Sequence, residues 1–368
     1  MKCGCEEMIV CITEDRASFS VPIKLLLLSL AKHCRDLPVE LFFPAADAEF
    51  ISFLKGLPQV SLNPTPLARS TGWNVKPEAI SMLLHDGHDD VLWIDSDIIV
   101  TRDFRLEFVG LDPAVLVATE EALWGNYSDA DSWRARAWGF EAGRNLPFTV
   151  NTGVLRMTRS HLPLLAKWRA LMEGDAYRQA QKLSTEERPM HMFGDQDVLT
   201  ALLSSAEFSD VPLKFLKRGA GIVQYFGLSG YTCAERLHNL LHGPPYFVHS
   251  QVFKPWVKFA EKRQIEGSRD LVDALYLDLS PYTLAARAYE RSISESCHWM
   301  RPQSTAASLL RAAGFWYAPL TGLPIAALAD LVRTTNLSFL KRCYFKQNSL
   351  RDPAAPQRPA ESPRQESA

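Results

Sequence analysis

Two aspartates separated by one residue lie in a strongly apolar run, Val91-Leu92-Trp93-Ile94-Asp95-Ser96-Asp97-Ile98-Ile99-Val100. Alternate residues of an extended chain face the same side, so Asp95 and Asp97 are expected to converge on one hard divalent cation at the carboxyl end of a strand. Two acids and such an ion suit a diphosphate. The plainer reading is a strand-to-loop junction that happens to hold aspartates; apolar flanks on both sides, where an unpaired carboxylate is costly, favour the metal. Val150-Asn151-Thr152-Gly153-Val154-Leu155 sets a small polar triplet inside another apolar run. Asn151 can hydrogen-bond a sugar hydroxyl there, and Gly153 lets a ligand approach the backbone, with a bulge or turn as the alternative. Gly194-Asp195-Gln196-Asp197-Val198-Leu199 puts two carboxylates and an amide at a helix start, where simple capping would also place an aspartate. The last segment runs from Phe247 to Trp256. It offers His249 as a third metal ligand and Lys254 as a point charge for phosphate, although a lone histidine at a strand end is commonly structural.

These residues need a scaffold, and to about residue 260 the chain alternates β-branched runs with helical patterns, the rhythm of a mostly parallel sheet covered by helices. Strands are expected at Ile9–Thr13, Val39–Phe43, Val91–Ile94, Val115–Thr119, Thr149–Met157 and Tyr246–His249. Helices are expected from Ser20 as cap through Leu30, at Pro77–His85 and at Leu162–Glu173. The turn after the first strand, Thr13-Glu14-Asp15-Arg16-Ala17-Ser18, has no glycine, which disfavours a dinucleotide-binding dehydrogenase.

Taken together and in this order, the Asp-x-Asp, Asn-x-Gly-Val, Asp-Gln-Asp and His…Lys-Pro-Trp segments resemble retaining glycosyltransferase family 8, within the GT-A nucleotide-sugar transferases, over roughly residues 8 to 258. The resemblance implies an α/β GT-A fold and transfer of a hexose-type sugar from a UDP-sugar to a glycan or glycolipid. It further implies that Asp95, Asp97 and His249 hold Mn2+ or Mg2+, with Asp95 also near the ribose. Thr13, Lys76, Lys254 and Gly153 would join Asp95 in binding the nucleotide, Lys254 at the diphosphate. Asn151, Asp195 and Gln196 would surround the reacting sugar. Where the family has a longer, glycine-containing gap before Lys-Pro-Trp, this chain has Ser250-Gln251-Val252-Phe253. A covalent enzyme intermediate and attack from the face the diphosphate leaves are both open for such a transfer; Gln196 would be a poor nucleophile, which favours the second.

The composition narrows the classes that remain. Across 368 residues, 40 Lys+Arg meet 42 Asp+Glu for a net charge of -2, so nothing draws the chain to nucleic acid. Seven scattered cysteines fit neither a disulfide framework nor a structural zinc site, and the acidic N-terminus is unlike a signal peptide; a cytoplasmic protein is the expectation. The rival classes are a haloacid-dehalogenase-like phosphatase, in which Asp95 would be the nucleophile, and a non-catalytic scaffold. Aromatic residues Trp124, Tyr127, Trp133, Trp138 and Phe140 form either an acceptor surface or ordinary packing. The expected organisation is a catalytic domain over 1–262, a helical region over 263–348 and a disordered tail over 349–368. The uncharged run from Ala312 to Ala329, interrupted by Pro319 and Pro324, reads as an interfacial segment docking the enzyme on a membrane surface, at the inner face, or on a membrane-bound partner, or else as a helix packed on the catalytic domain.

Overall fold

The side chains of the first and fourth strands alternate between two helical layers, and this alternation organises the molecule. In the computed structural model, β1 (Ile9–Thr13) turns Ile9 and Cys11 to one face and Val10 and Ile12 to the other, and β4 (Asp90–Ile94) divides Val91 and Trp93 from Leu92 and Ile94 in the same way. The structure describes residues 8–67, 72–121, 132–185, 187–224, 231–251 and 253–259, and beyond these chiefly 277–293 and 297–303.

The remaining strands are β2 (Val39–Phe42), β3 (Val60–Asn63), β5 (Ile98–Val100), β6 (Leu116–Glu120), β7 (Val150–Thr158), β8 (Leu213–Leu216), β9 (Ile222–Gln224) and β10 (Phe247–His249). Seven form a sheet in the order β3-β2-β1-β4-β7-β6-β8, in which β7 alone runs antiparallel to its neighbours. A small second sheet has the order β5-β10-β9. Helix α1 (Ser20–His33) and α2 (Ala48–Leu54) cover one face through Ile23, Leu26, Leu27, Leu30 and Phe50. The other is covered by α3 (Lys76–His85), with Ala79, Ile80 and Leu83 inward. After α4 (Trp133–Ala137), the same layer receives Leu165 and Trp168 from α5 (Leu162–Glu173), Tyr177 from α6 (Asp175–Lys182), and Val198, Leu199 and Leu202 from α7 (Asp195–Ser204). Helices α8 (Cys233–His242) and α9 (Pro255–Lys258) follow.

The α/β fold with a mostly parallel sheet is as expected, and each of the six expected strands forms to within about a residue. Four short strands went unread: β3 is half-exposed, and β5, β8 and β9 have three or four residues each, too few to show a period. Ser20 is not a cap. Helix α1 starts at Ser20 after Phe19 with no side-chain cap, because the 3-10 turn Ala17–Phe19 runs straight into it.

Past residue 262 the described chain forms a short helix, Pro281–Ala286, and 3-10 turns at Arg287–Ser292 and His298–Met300, with no strand among the described residues. Leu277, Tyr282, Ala286, Tyr289, Trp299 and Met300 pack with Phe19, Leu25, Ile99, Val248 and Trp256 in a third core cluster. The 349–368 tail and nearly all of the 312–329 run lie outside the described residues, as do Trp124 and Tyr127. Among the described residues no helix is long and apolar enough to cross a membrane.

Candidate functional site

Parallel strands deliver their carboxyl ends to one edge of a sheet. Here β1 and β4 bring Thr13 and Asp95 to that edge, and β7, running the other way, brings its amino-terminal residues Val150–Gly153 to the same place. The Asp95 N–H donates to the Gly153 carbonyl at 2.8 Å, so the acidic and the small polar segments are joined through backbone. Helix α7 starts beneath them with Asp195. The smaller sheet supplies the last piece: β10 pairs antiparallel with β5 with His249 opposite Ile98, one residue from Asp97.

Asp95 and Asp97 do converge, but not by strand alternation. Strand β4 ends at Ile94, and the chain turns through Ser96 and Asp97, with Ile98 N–H donating to the Asp95 carbonyl at 3.2 Å. A polar latch holds the turn: Ser96 Oγ donates to Glu14 Oε2 at 2.7 Å, and Arg16 grips the same carboxylate through Nε at 2.7 Å and Nη2 at 2.9 Å.

Each carboxylate divides its two oxygens. Asp95 Oδ1 accepts from Trp93 Nε1 at 2.7 Å and lies 3.2 Å from Lys76 Nζ, while Asp95 Oδ2 is 3.8 Å from His249 Nε2. Asp97 Oδ2 is bound by the Lys254 ammonium, which also donates to the Ser250 carbonyl at 2.7 Å, while Asp97 Oδ1 is 3.3 Å from His249 Nε2. One ligand atom from each of the three residues thus lies within 4.8 Å of the others. Two hard oxygens and one imidazole nitrogen form a donor set suited to manganese or magnesium, so these residues fit the ion the resemblance implies. Burial would raise the Asp97 carboxyl, but Lys254 and His249 outweigh it and hold the group far below the ordinary range. At Asp95 burial wins over Lys76 and His249, and the carboxyl is pushed up.

Lys76, expected at the nucleotide, is 3% exposed and central to a second network. Its ammonium lies 3.1 Å from Asp195 Oδ2 and 2.7 Å from Thr152 Oγ1, and Thr152 Oγ1 donates to the same Asp195 oxygen at 2.7 Å. Burial pulls Lys76 down, yet Asp195 and Asp95 together raise it above its usual value. Asp195 is not a helix cap: Gly194 occupies that position, and the Asp195 carboxylate reaches sideways to Lys76 and Thr152.

The amides of Asn151 and Gln196 meet. Asn151 Nδ2 donates to Gln196 Oε1 at 3.3 Å and to Glu121 Oε2 at 2.8 Å; Gln196 Nε2 donates to the same Glu121 oxygen at 3.2 Å, and Gln251 Nε2 reaches it at 3.2 Å. Gly153 is packed against side chains. An added Cβ would stand 2.9 Å from His249 Cε1 and 3.0 Å from Asn151 Oδ1, so the missing side chain leaves room for the imidazole. Asp197 does not join the site: it pairs with Arg134 Nε at 2.9 Å, and burial pushes its carboxyl up to about 6 despite the guanidinium. Trp138 also turns inward, its indole N–H donating to the His191 carbonyl at 3.0 Å while Trp138 and Phe140 pack on the core.

Glu14, Ser96, Glu121 and Gln251 belong to the site and were not read from sequence. The available signal was positional: Glu14 and Glu121 directly follow β1 and β6, whose carboxyl ends face the same edge.

No family model matches the sequence, and none of the curated proteins does. In shape the chain is similar to solved glycosyltransferases. One is the apo form of the bifunctional glycosyltransferase WbbM, at 14% identity and a TM-score of 0.48, covering 70% of this chain and 48% of that one. Another is the galactosyltransferase LgtC in complex with donor and acceptor sugar analogues, at 14% and 0.45, covering 81% and 100%. A third is the glycosyltransferase GlyE of Streptococcus pneumoniae TIGR4, at 20% and 0.40, covering 79% and 66%. This chain spans about half the length of WbbM.

Proposed function

We propose that the chain is a metal-dependent, GT-A-type glycosyltransferase that moves a hexose-type sugar from a UDP-sugar to a glycan or glycolipid acceptor with retention of configuration. The observation that carries this reading is the division of oxygens at the acidic pair. Lysines hold one oxygen each of Asp95 and Asp97, and the remaining oxygens turn toward one imidazole nitrogen.

Bound by Asp95, Asp97 and His249, a divalent ion would supply positive charge opposite the donor's diphosphate. The chain's own groups do the rest. Lys254, a point charge at the rim of this cluster, is placed to meet negative charge growing on the leaving diphosphate. Asp195 offers its carboxylate to donor-sugar hydroxyls with its direction fixed by Lys76 and Thr152. As the bond from the anomeric carbon to the diphosphate breaks, the sugar gains oxocarbenium character and the Gln196 amide dipole faces it. Gln196 Oε1 accepts from Asn151 and Gln196 Nε2 donates to Glu121, so its amide is held by both ends, which supports an orienting role over nucleophilic attack. The acceptor hydroxyl then bonds to the carbon on the face the diphosphate leaves, and its proton passes to a diphosphate oxygen. In the same proposal the 312–329 run docks a cytoplasmic enzyme on the inner membrane face, where a glycolipid acceptor lies; liposome flotation of the full chain checks this.

The test is thermal unfolding with UDP, manganese or both. UDP should raise the melting temperature of the wild type strongly only with manganese, since a ligand that binds the native state alone stabilises it. Asp97→Ala should abolish the joint effect and leave the fold intact. A manganese-independent UDP shift, or one that Asp97→Ala preserves, overturns the assignment.

A further inference from the structure

Of the described tryptophans only Trp73 is exposed, at 53%. It stands three residues ahead of Lys76 in the 3-10 turn Gly72–Val75, which enters α3 at the edge of the site. The turn is tied on both sides. Gly72, in the left-handed region at φ 60°, donates its N–H to Asp15 Oδ2 at 3.2 Å across to the loop after β1. Asn74 Oδ1 accepts from the Tyr177 hydroxyl at 2.8 Å, and Tyr177, 1% exposed on α6, lies beside the Trp73 side chain and close enough to feel the charge of Asp195. Such a tied turn fixes the backbone that presents this large apolar ring to water, and a ring on a fixed support loses less freedom when it meets a ligand.

Resting on the glycosyltransferase reading, we propose that Trp73 is a stacking platform for a pyranose ring of the acceptor. The hydrophobic face of a pyranose is a row of C–H groups, which packs flat on an indole. Gly72 ties this turn to the loop after β1, yet the neighbours of Trp73 itself set the acceptor ahead of the nucleoside. Trp73 lies at the Lys76, Asp195 and Tyr177 end of the site, where the transferred sugar is assigned and which the incoming hydroxyl must reach. Of the described aromatics of the alternative surface, Trp138 and Phe140 are committed to packing and to His191, and the Trp133 ring is covered by the Arg134 guanidinium at 4.4 Å from its centroid.

The test uses the full chain and isothermal titration with lactose, cellobiose and N,N'-diacetylchitobiose, each with and without saturating UDP and manganese, on the wild type, Trp73→Ala and Trp73→Phe. At least one disaccharide should bind the wild type. Trp73→Ala should weaken that binding by about three- to tenfold, the worth of one aromatic contact. Trp73→Phe should retain most of the affinity, and the affinity for UDP with manganese should be the same in all three proteins. Equal disaccharide affinity in Trp73→Ala, an equal loss of UDP affinity, or no disaccharide bound by the wild type overturns the proposal. If UDP with manganese fails to bind the wild type, the transferase reading falls instead, and the UDP-free titrations still decide whether Trp73 holds a saccharide.

Discussion

Adding one methyl group at Gly153 should disarm the site from inside the sheet. A Cβ there would lie 2.9 Å from His249 Cε1 and 3.0 Å from both His249 Nδ1 and Asn151 Oδ1. Carbon atoms settle at about 3.5 Å or more, so the imidazole has to retreat by roughly half an ångström. Gly153 lies in the fully buried strand β7, and its N–H donates to Asn151 Oδ1 at 2.9 Å, so the backbone has little freedom to give way. Metal ligation tolerates about 0.2 Å of displacement, and the expected shift is more than twice that. Gly153→Ala should therefore weaken manganese-dependent UDP binding by about tenfold to a hundredfold, with an overpacking cost to stability of about 1–3 kcal/mol. Titration calorimetry with UDP and manganese reads the first effect and urea unfolding the second. Wild-type nucleotide affinity in a folded Gly153→Ala protein would refute the idea that this glycine exists to seat His249.

Lys76→Met should cost about 3–5 kcal/mol in urea unfolding near neutral pH, because Asp95 and Asp195 lose the buried ammonium between them. The loss should shrink in acid as Asp95, whose carboxyl burial already pushes up, takes up a proton; a pH-independent loss would show that Lys76 acts by packing alone. His161 carries a separate pH dependence. The Thr158 N–H donates to His161 Nδ1 at 3.0 Å, so the neutral ring holds its proton on Nε2, 3.0 Å from the Ala114 carbonyl. Burial pushes its pKa from 6.5 down to about 4. The unfolded chain then binds a proton that the native state refuses, so this contribution is complete above about pH 6.5 and is lost as pH falls toward 4, by up to about 3 kcal/mol. His161→Gln should flatten that part of the stability curve, and an unchanged slope would assign the acid sensitivity elsewhere.

The sequence by itself determined the elements that repeat a period over enough residues, and the charged residues that stand amid apolar runs and so call for a partner. Helix α5, read as Leu162–Glu173 and found there, and strand β1, Ile9–Thr13, are of that kind, since burial on one face imposes a pattern visible along the chain. The Asp95 and Asp97 pair was legible because carboxylates amid apolar residues need a partner, and His249 joined it only through the resemblance. Which oxygen faces which partner was settled only by three-dimensional packing: the turn at Ser96 rather than an extended strand aims the aspartates, and the pairing of β10 with the three-residue β5, itself too short to carry a period, sets His249 beside Asp97. Glu121 and Glu14 stayed hidden for a related reason. An acid after a strand looks like any loop acid until the strand order shows that β1, β4 and β6 end at one edge, with β7 beginning there. Periodicity records which face of an element is buried, whereas a site made of strand ends depends on which strands are neighbours, and that is fixed by contacts between residues far apart in the chain.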